Sequence, residues 1–426
     1  MLSLLLALQV ATGSADTMPR VTLNQALEQA TRLDPNYVQA LGSISTAEWG
    51  RRSAILAFIV PAVTLQLDYT KYSTGFFNIG TLQQSSTSAT FQAFASYELF
   101  SMRKFSELGR SRALLEGAEA EGLQARFTAA LLTESNYYDV LANQELTRLA
   151  IERQRRAQEA FAVARARVLS GAEVQTDSLQ LMLELTGAQV DLLRQRSALH
   201  VSQLQLGRRI GVPGAVDAVP LDTALAGALP VELDAAIQLA LEQGPSFRAV
   251  RANERAANSL LKGRRGEYLP SLQLTGSHNR FDTEVFPSAF SVSSLAIGVT
   301  WPLWDHAQRE IRISQARVSR DVFQAIREDL ERSARVDVTA SYEAYQTARA
   351  TVQLGQTAVL VARENFRVQE ARYRAGATQI LDLLSAQLGL TVAEANLVQA
   401  RFSLRLALAG LEAIIGRRLV EDRVLP

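Results

Sequence analysis

Few residues in this chain could do chemistry by themselves. The three histidines, His200, His278 and His306, stand singly, at no spacing that would gather metal ligands. There is no cysteine, which removes disulfides, thiolate metal sites, a thiol nucleophile and an N-terminal lipid on cysteine. No phosphate-binding glycine loop ending in Lys-Ser/Thr occurs, and serine, aspartate and histidine never form a nucleophile elbow. The reading is of no enzyme, no metal and no cofactor. A formal charge of +1 on 426 residues gives no reason to expect a nucleic-acid partner. Asp382 stands out by position: it comes one turn after Gly376, where a helix should open, and there a carboxylate is favoured by the helix dipole.

The elements that would hold such residues fall into two kinds. The first is strands. In Val63-Thr-Leu-Gln-Leu-Asp-Tyr-Thr70, the apolar Val63, Leu65, Leu67 and Tyr69 alternate with polar neighbours. Phe91, Ala93, Ala95, Tyr97 and Leu99 repeat the pattern against Gln92, Ser96 and Glu98, and Phe94 breaks the polar side. In the second half Leu272 and Leu274 alternate with Ser271, Gln273 and Thr275. Leu295, Ile297, Val299, Trp301 and Leu303 alternate with Ala296, Gly298 and Thr300. Such strands of about ten residues are long enough to cross a bilayer at a tilt. Tyr97, Phe100, Trp301 and Trp304 stand where the chain returns to helix. Tyr72, Phe76, Phe77, Phe281 and Phe286 stand towards the loops, so the aromatics form two bands. A soluble sheet packed on helices would carry the same alternation, and the strands alone leave both possibilities open. Strands in lipid leave no open edge, so four of them would have to be pooled with those of other chains; three chains supply twelve.

The second kind is long helices. From Arg103 to Val168 there is no proline, which predicts roughly 100 Å of helix at 1.5 Å per residue. The stretch from Arg309 to Ala375 matches it. Leu383, Leu390, Leu397, Leu404 and Leu411 recur every seven residues, with Ala386, Ala393, Ala400 and Ala407 three later. Leu185, Leu192, Leu199 and Leu206 do the same in the first half. A secreted or periplasmic coiled-coil scaffold protein would explain the heptads, but not the paired amphipathic strands.

The whole plan is written twice. Pro61 corresponds to Pro270, Tyr97-Glu-Leu-Phe100 to Trp301-Pro-Leu-Trp304, Gly171-Ala172 to Gly376-Ala377, and Ile210-Gly211 to Ile415-Gly416. The offset drifts from 210 residues at Val21/Val231 to 204 at Tyr97/Trp301. Each half runs short helix, helix, strand pair, long helix, glycine turn and final helix. Asp34-Pro35 and Gly244-Pro245 open the second helix of each half. Residues 1–15, apolar from Met1 to Val10 and ending Gly13-Ser14-Ala15, read as a signal peptide. Residues 16–211 are the first repeat, 212–230 a linker, 231–416 the second repeat and 417–426 a tail.

This order of elements resembles the TolC-like outer-membrane efflux proteins across nearly the whole mature chain. The most specific segment is Arg372-Tyr-Arg-Ala-Gly-Ala-Thr-Gln-Ile-Leu-Asp-Leu-Leu384, similar to the family's tip signature, with a weaker copy from Gly171 to Asp177. The resemblance implies a mainly α fold with membrane β: a helical coiled-coil barrel continued by a trimeric twelve-stranded β-barrel, four strands per chain. It implies a passive exit duct in the outer membrane, with its helices in the periplasm of a Gram-negative type envelope. It implies three kinds of partner besides outer-membrane lipid: two further copies of the chain, a periplasmic adaptor (membrane fusion) protein docked at the helix tips, and an inner-membrane pump. The pump would set the choice of cargo. The tips would be Gly171, Ala172, Gly376 and Ala377. The family's gate positions fall on Asp382, Tyr373, Thr176 and Asp177. Ser385 and Thr378 stand where relatives often have a second aspartate and an arginine, so the polar lock is thinner in this chain. Three Asp382 carboxylates in a narrow ring would attract cations and repel anions. The lipid-facing set would be Val63, Leu65, Leu67, Tyr69, Phe91, Tyr97, Leu272, Leu274, Leu295, Ile297, Val299 and Trp301.

Overall fold

A computed structural model describes residues 18–78, 82–170, 174–221, 229–288 and 290–419. The expected signal peptide, the turn residues Gly171 and Ala172, and most of the tail lie outside these residues.

The duplication is visible in the lengths of the helices. Helices α1 (Leu23–Leu33) and α5 (Leu233–Gln243) have 11 residues each. Helices α2 (Pro35–Leu56) and α6 (Pro245–Arg265) have 22 and 21. Helices α3 (Met102–Leu169) and α7 (Gln308–Arg374) have 68 and 67, and α4 (Gln175–Ile210) and α8 (Ile380–Ile415) have 36 each. Asp34 ends α1 and starts α2: its Oδ1 accepts from the backbone N–H of Asn36 and Tyr37, both at 3.0 Å, as the Asp-Pro pair predicted. The last helix of each half ends on a glycine in the left-handed region, Gly211 at φ 76° and Gly416 at φ 76°. A side chain there would be strained.

The chain divides into two compact units that cut across the sequence repeats. One takes in the described residues of Met1–Val38, Ala125–Gln238 and Val336–Pro426; the other takes in Gln39–Gln124 and Leu239–Arg335.

In the first unit the heptad leucines are the packing code. Leu383, Leu390, Leu404 and Leu411 of α8 and Leu192 and Leu206 of α4 are buried, and Leu397, Leu185 and Leu199 are half-buried. Leu404 and Leu408 pack with Tyr345 and Val352 of α7. Truncating one such leucine to alanine costs about 2–5 kcal/mol. The unit also holds a feature the patterns did not announce. Strand β1 (Arg20–Val21) pairs in parallel with β4 (Asp217–Ala218), which lies within the expected linker. Two-residue strands carry no periodicity to read. Tyr137 of α3 ties the pair down, its hydroxyl donating to the carbonyl of Val219 (2.6 Å) and lying 3.2 Å from that of Val21. Burial, helped by the negative charge of nearby Asp217, pushes its phenol up to about 12. A second such feature is Arg418. Its guanidinium reaches Glu412 of α8 and Glu134 of α3, each at 2.6 Å, and both glutamates are fully buried. Burial alone would lower the arginine pKa; the two carboxylates reverse this and raise it.

The second unit is built on an antiparallel sheet in the order β2 (Ala62–Asn78), β3 (Gln83–Phe100), β5 (Ser271–Asp282), β6 (Phe290–Thr300). Strands β2 and β5 begin directly after Pro61 and Pro270, as expected. Their extents differ from the alternating stretches. β2 and β3 run through Ser- and Thr-rich sequence that has no hydrophobic alternation, because ladder pairing such as Tyr69 with Ala89 and Lys71 with Thr87 continues there. β6 stops at Thr300, short of Trp301 and Leu303, because Pro302 has no N–H to give a ladder.

Candidate functional site

Two places collect the residues singled out from the sequence. One is the end of the first unit where α3, α4, α7 and α8 meet. Ala164, Leu181, Tyr373, Ile380 and Leu383 form a buried cluster there. Helix α7 closes in a Schellman turn: Gly376 N–H bonds the Tyr373 carbonyl (3.0 Å), Ala377 N–H bonds the Arg372 carbonyl (2.8 Å), and Gly376 sits at φ 73°. Arg167 of α3 reaches the same helix end. Its guanidinium donates to the Arg374 carbonyl at 2.6 Å, lies 3.4 Å from the Tyr373 carbonyl, and sits over the Tyr373 ring. A cation is well placed against the last carbonyls of a helix.

The expected gate residues divide by exposure. Tyr373 is only 5% exposed and belongs to the packing within the chain. Thr176, Asp382 and Ser385 are exposed, and Asp177 and Thr378 are half-buried. Asp177 and Asp382 hold equivalent places, the third residue of α4 and of α8. Thr378 donates its hydroxyl to Asp382 Oδ2 at 2.6 Å. The carboxylate is thus held by its own chain. Further along, Arg153 of α3 bridges Glu184 (2.9 Å) and Asp191 (2.7 Å) of α4, and Gln387 of α8 donates to the same Glu184. This network escaped sequence reasoning. The heptad spacing of Glu184 and Asp191 was its only trace.

The other place is the sheet. In an antiparallel pair, residues directly opposite share a face. The ladder aligns Val63 with Ala95, Gly276 and Leu295, Leu67 with Phe91, and Tyr97 with Leu274 and Ile297; Leu272 opposes Val299. These rows bring the eleven expected lipid-facing residues that lie in strands to one face, and Trp301 follows β6 immediately. Val63, Leu65, Leu67, Tyr69, Leu295, Ile297, Val299 and Trp301 are exposed; Phe91, Tyr97, Leu272 and Leu274 are half-buried. The opposite face carries Thr64, Gln66, Asp68, Gln92, Glu98, Gln273, Thr275, Ser277, Asn279 and Ser294. Phe94, Phe281, Phe290 and Val292 are its apolar exceptions.

The apolar stretches are staggered. Val63 and Leu295 stand in one row, yet the apolar series of β2 runs from Val63 towards the loops and that of β6 from Leu295 towards the helices. The centres of the two series differ by about six residues, on the order of 20 Å, over three strand spacings of roughly 14 Å. An apolar belt of even height therefore crosses the strands obliquely, which corresponds to a strand tilt of about 55°, somewhat steeper than the ~45° of membrane-crossing strands.

Among the described residues no group of His, Cys, Asp and Glu could hold a metal ion, and no helix is long and apolar enough to cross a membrane.

Long duplicated helices carrying a four-stranded antiparallel sheet are the chain fold of outer-membrane channel-tunnel proteins. The match to the outer membrane protein VceC from Vibrio cholerae has a TM-score of 0.76 at 17% identity, covering 93% of this chain and 97% of that one. The family model for outer membrane efflux proteins matches residues 57–212 and 236–417, and the chain belongs to that family. Membership puts it in the outer membrane. Among curated relatives, the outer membrane efflux protein BepC of Brucella suis is 24% identical over 67% of this chain and 62% of its own length. The pyoverdine export outer membrane protein OpmQ of Pseudomonas putida is 25% identical over 76% of this chain and 68% of its own length. The chain thus matches about three fifths of the length of BepC.

Proposed function

We propose that this protein is the passive exit duct of a tripartite efflux or type I secretion system. Three copies pool their sheets into a twelve-stranded barrel, and their helices continue it as a tunnel through the periplasm. The helix tips around Gly171, Ala172, Gly376 and Ala377 dock on a periplasmic adaptor, which joins the duct to an inner-membrane pump that supplies energy and selects cargo. The chain itself carries no catalysis. The domain plan remains a leader over 1–15, repeats over 16–211 and 231–416, a linker over 212–230 and a tail over 417–426.

The observation that carries this reading is the sheet. One face is apolar and exposed, the other mostly polar, and the apolar belt climbs obliquely across the strands, which supports strands tilted as in a barrel wall. Its edges β2 and β6 have no partner strand among the described residues, and open edges are not tolerated in lipid. Pairing β6 of one copy with β2 of the next removes both.

At the tips, Asp382 forms the pore ring, backed by Asp177, Thr176 and Ser385. Tyr373 and Thr378 act behind it, the first by packing the helix ends and the second by holding the carboxylate. The test is mass measurement of the detergent-extracted protein together with planar-bilayer recording. A trimer that conducts is expected; a folded monomer in lipid, or a trimer without conductance, would overturn the reading.

A further inference from the structure

The sheet face assigned to lipid does not stay apolar to its loop end. Two cations stand on it. On β2 the outward series Val63, Leu65, Leu67, Tyr69 is followed by Lys71. On β5 the outward series Leu272, Leu274, Gly276 is followed by His278 and Arg280. Lys71 and Arg280 are both exposed, and neither makes an ion pair or side-chain hydrogen bond among the described residues.

The stagger of the belt puts the two at one height. The belt falls by about two residues per strand from β2 to β6, so the level of Lys71 is reached on β5 about four residues down the ladder from its row. Lys71 pairs with Thr87, and the β3–β5 ladder carries that row two residues past the Ala89–Asp282 pair. Four residues back along β5 is Arg280. By the same count Tyr69, Phe91, His278 and Leu295 share the level just below. Two unpaired cations therefore lie at one level, about 16 Å apart across two strand spacings, immediately beyond the aromatic edge of the belt, at the end away from the helices.

The nearest acid on this face is Asp282. It is occupied: its Oδ1 accepts from the Thr283 N–H at 2.6 Å and its Oδ2 from the Ser288 N–H at 2.9 Å. Asp68 belongs to the opposite face. His278 is turned to a hydroxyl, with Nδ1 2.8 Å from Ser293 Oγ.

Resting on the barrel reading above, we propose that Lys71 and Arg280 form a binding site for the phosphate groups of an outer-leaflet glycolipid. Cations at the rim of an apolar surface meet the headgroup level of a bilayer, where phosphate is the charged partner. Arginine offers a fork to phosphate oxygens and lysine a point charge. Side chains exposed to the lumen could serve a soluble anion; these two stand on the side with the acyl-chain residues, which commits them to a lipid. Each protomer would carry one site.

The experiment is native mass spectrometry of the full-length trimer, reconstituted with purified phosphorylated lipid A, with its dephosphorylated form, or with inorganic phosphate. The intact protein should retain the phosphorylated lipid and release the other two. Lys71→Ala with Arg280→Ala should weaken retention roughly fivefold for each cation removed, while Lys71→Arg with Arg280→Lys should keep it. Conductance of each variant is recorded alongside. Variants that assemble and conduct but hold the phosphorylated lipid as tightly as the unaltered protein would overturn the site and leave the barrel standing. Equal retention of the dephosphorylated lipid, or displacement by millimolar phosphate alone, would also overturn it. Failure of the unaltered chain to form a trimer would remove the barrel reading and the site together.

Discussion

Tyr97, near the helix end of β3, donates its hydroxyl proton to the backbone carbonyl of Phe58 at 2.5 Å. The second half repeats this with different chemistry: the Trp301 indole N–H donates to the carbonyl of Tyr268 at 3.1 Å. A buried cation completes each copy. Lys104 donates to the Glu98 carbonyl (2.5 Å) and lies 4.6 Å from the Phe58 ring centre. Arg309 donates to the Pro302 carbonyl (2.7 Å) and lies 4.6 Å from the Tyr268 ring centre. Glu98 and Pro302 are the very positions that the repeat aligns. The junction between strand and long helix is thus fixed by the same three contacts in both halves. Tyr97→Phe is expected to cost about 1 kcal/mol and Lys104→Met about 1–3 kcal/mol, since each leaves a carbonyl unpaired. Thermal unfolding in detergent measures both, and no change in either would mean that the junction is held by packing alone.

The sheet face yields a sharper contrast. Ile297→Arg places a charge near the middle of the proposed lipid-facing series of β6 and is expected to cost about 2–4 kcal/mol and to lower assembly. Thr300→Arg, on the other face, is expected to be milder. The yield of folded trimer from outer-membrane extracts compares them. Equal damage would place both side chains in a soluble core.

At the tips, Asp382→Ala is expected to raise single-channel conductance and to reduce cation preference. Ser385→Asp is expected to act in the opposite sense. Thr378→Val removes the hydroxyl that holds the carboxylate and should alter selectivity less than loss of the carboxylate itself. Recording in asymmetric salt separates conductance from reversal potential. If Asp382→Ala leaves both unchanged, the residue is a helix-start charge and no ring exists.

Two glycines of α4 should respond oppositely to the same substitution. A Cβ on Gly207 would lie 2.1 Å from the Gly214 carbonyl oxygen, so Gly207→Ala must push the backbone aside. A Cβ on Gly187 would meet nothing within 4 Å. Gly187→Ala is expected to stabilise by roughly 0.5–1 kcal/mol through helix propensity, and Gly207→Ala to destabilise by more than that. Paired denaturation curves decide the sign of each.

Glu267 sets a pH dependence at the start of the second strand pair. Burial would raise its pKa, but hydrogen bonds and charge from Arg264 (2.7 Å) and Arg312 (2.9 Å) overcome this and lower it. A carboxyl whose pKa falls on folding contributes stability that is fully present above its unfolded value, about 4.3. That contribution is lost as pH drops through the lower folded value. Glu267→Gln is expected to lower stability at neutral pH, where the ion pairs are intact, and to change it little once pH has fallen through the folded value, so the acid limb below about pH 4.3 flattens. An unchanged acid limb would mean that other carboxylates govern it.

Much of this was legible because the duplication aligned distant residues. Pro61 and Pro270 marked both strand starts, and Ile210-Gly211 and Ile415-Gly416 marked both helix ends, each by backbone chemistry that acts locally. The alternation from Val63 to Tyr69 and from Leu295 to Trp301 identified the apolar face of the sheet, since period two is a property of the strand itself. What stayed hidden was long-range or polar. The Ser- and Thr-rich strand ends showed no alternation, and the pairing of Arg20-Val21 with Asp217-Ala218 is too short to show one. Arg153, Arg167 and Arg418 look in sequence like any of the many arginines. Their roles exist only once helices far apart in the chain lie together.

The bond between Arg418 and Glu134 joins residues 284 positions apart. Glu134 is fully buried in α3, and the cation that neutralises it lies just past the last helix of the second repeat. A nascent chain that stops at Ile415 would have every heptad leucine in place and still have to bury two carboxylates, Glu134 and Glu412, without their guanidinium. Leaving buried charge unpaired costs about 3–5 kcal/mol. The triad therefore makes the packing of the first repeat's longest helix depend on a residue that lies beyond the second repeat's final glycine.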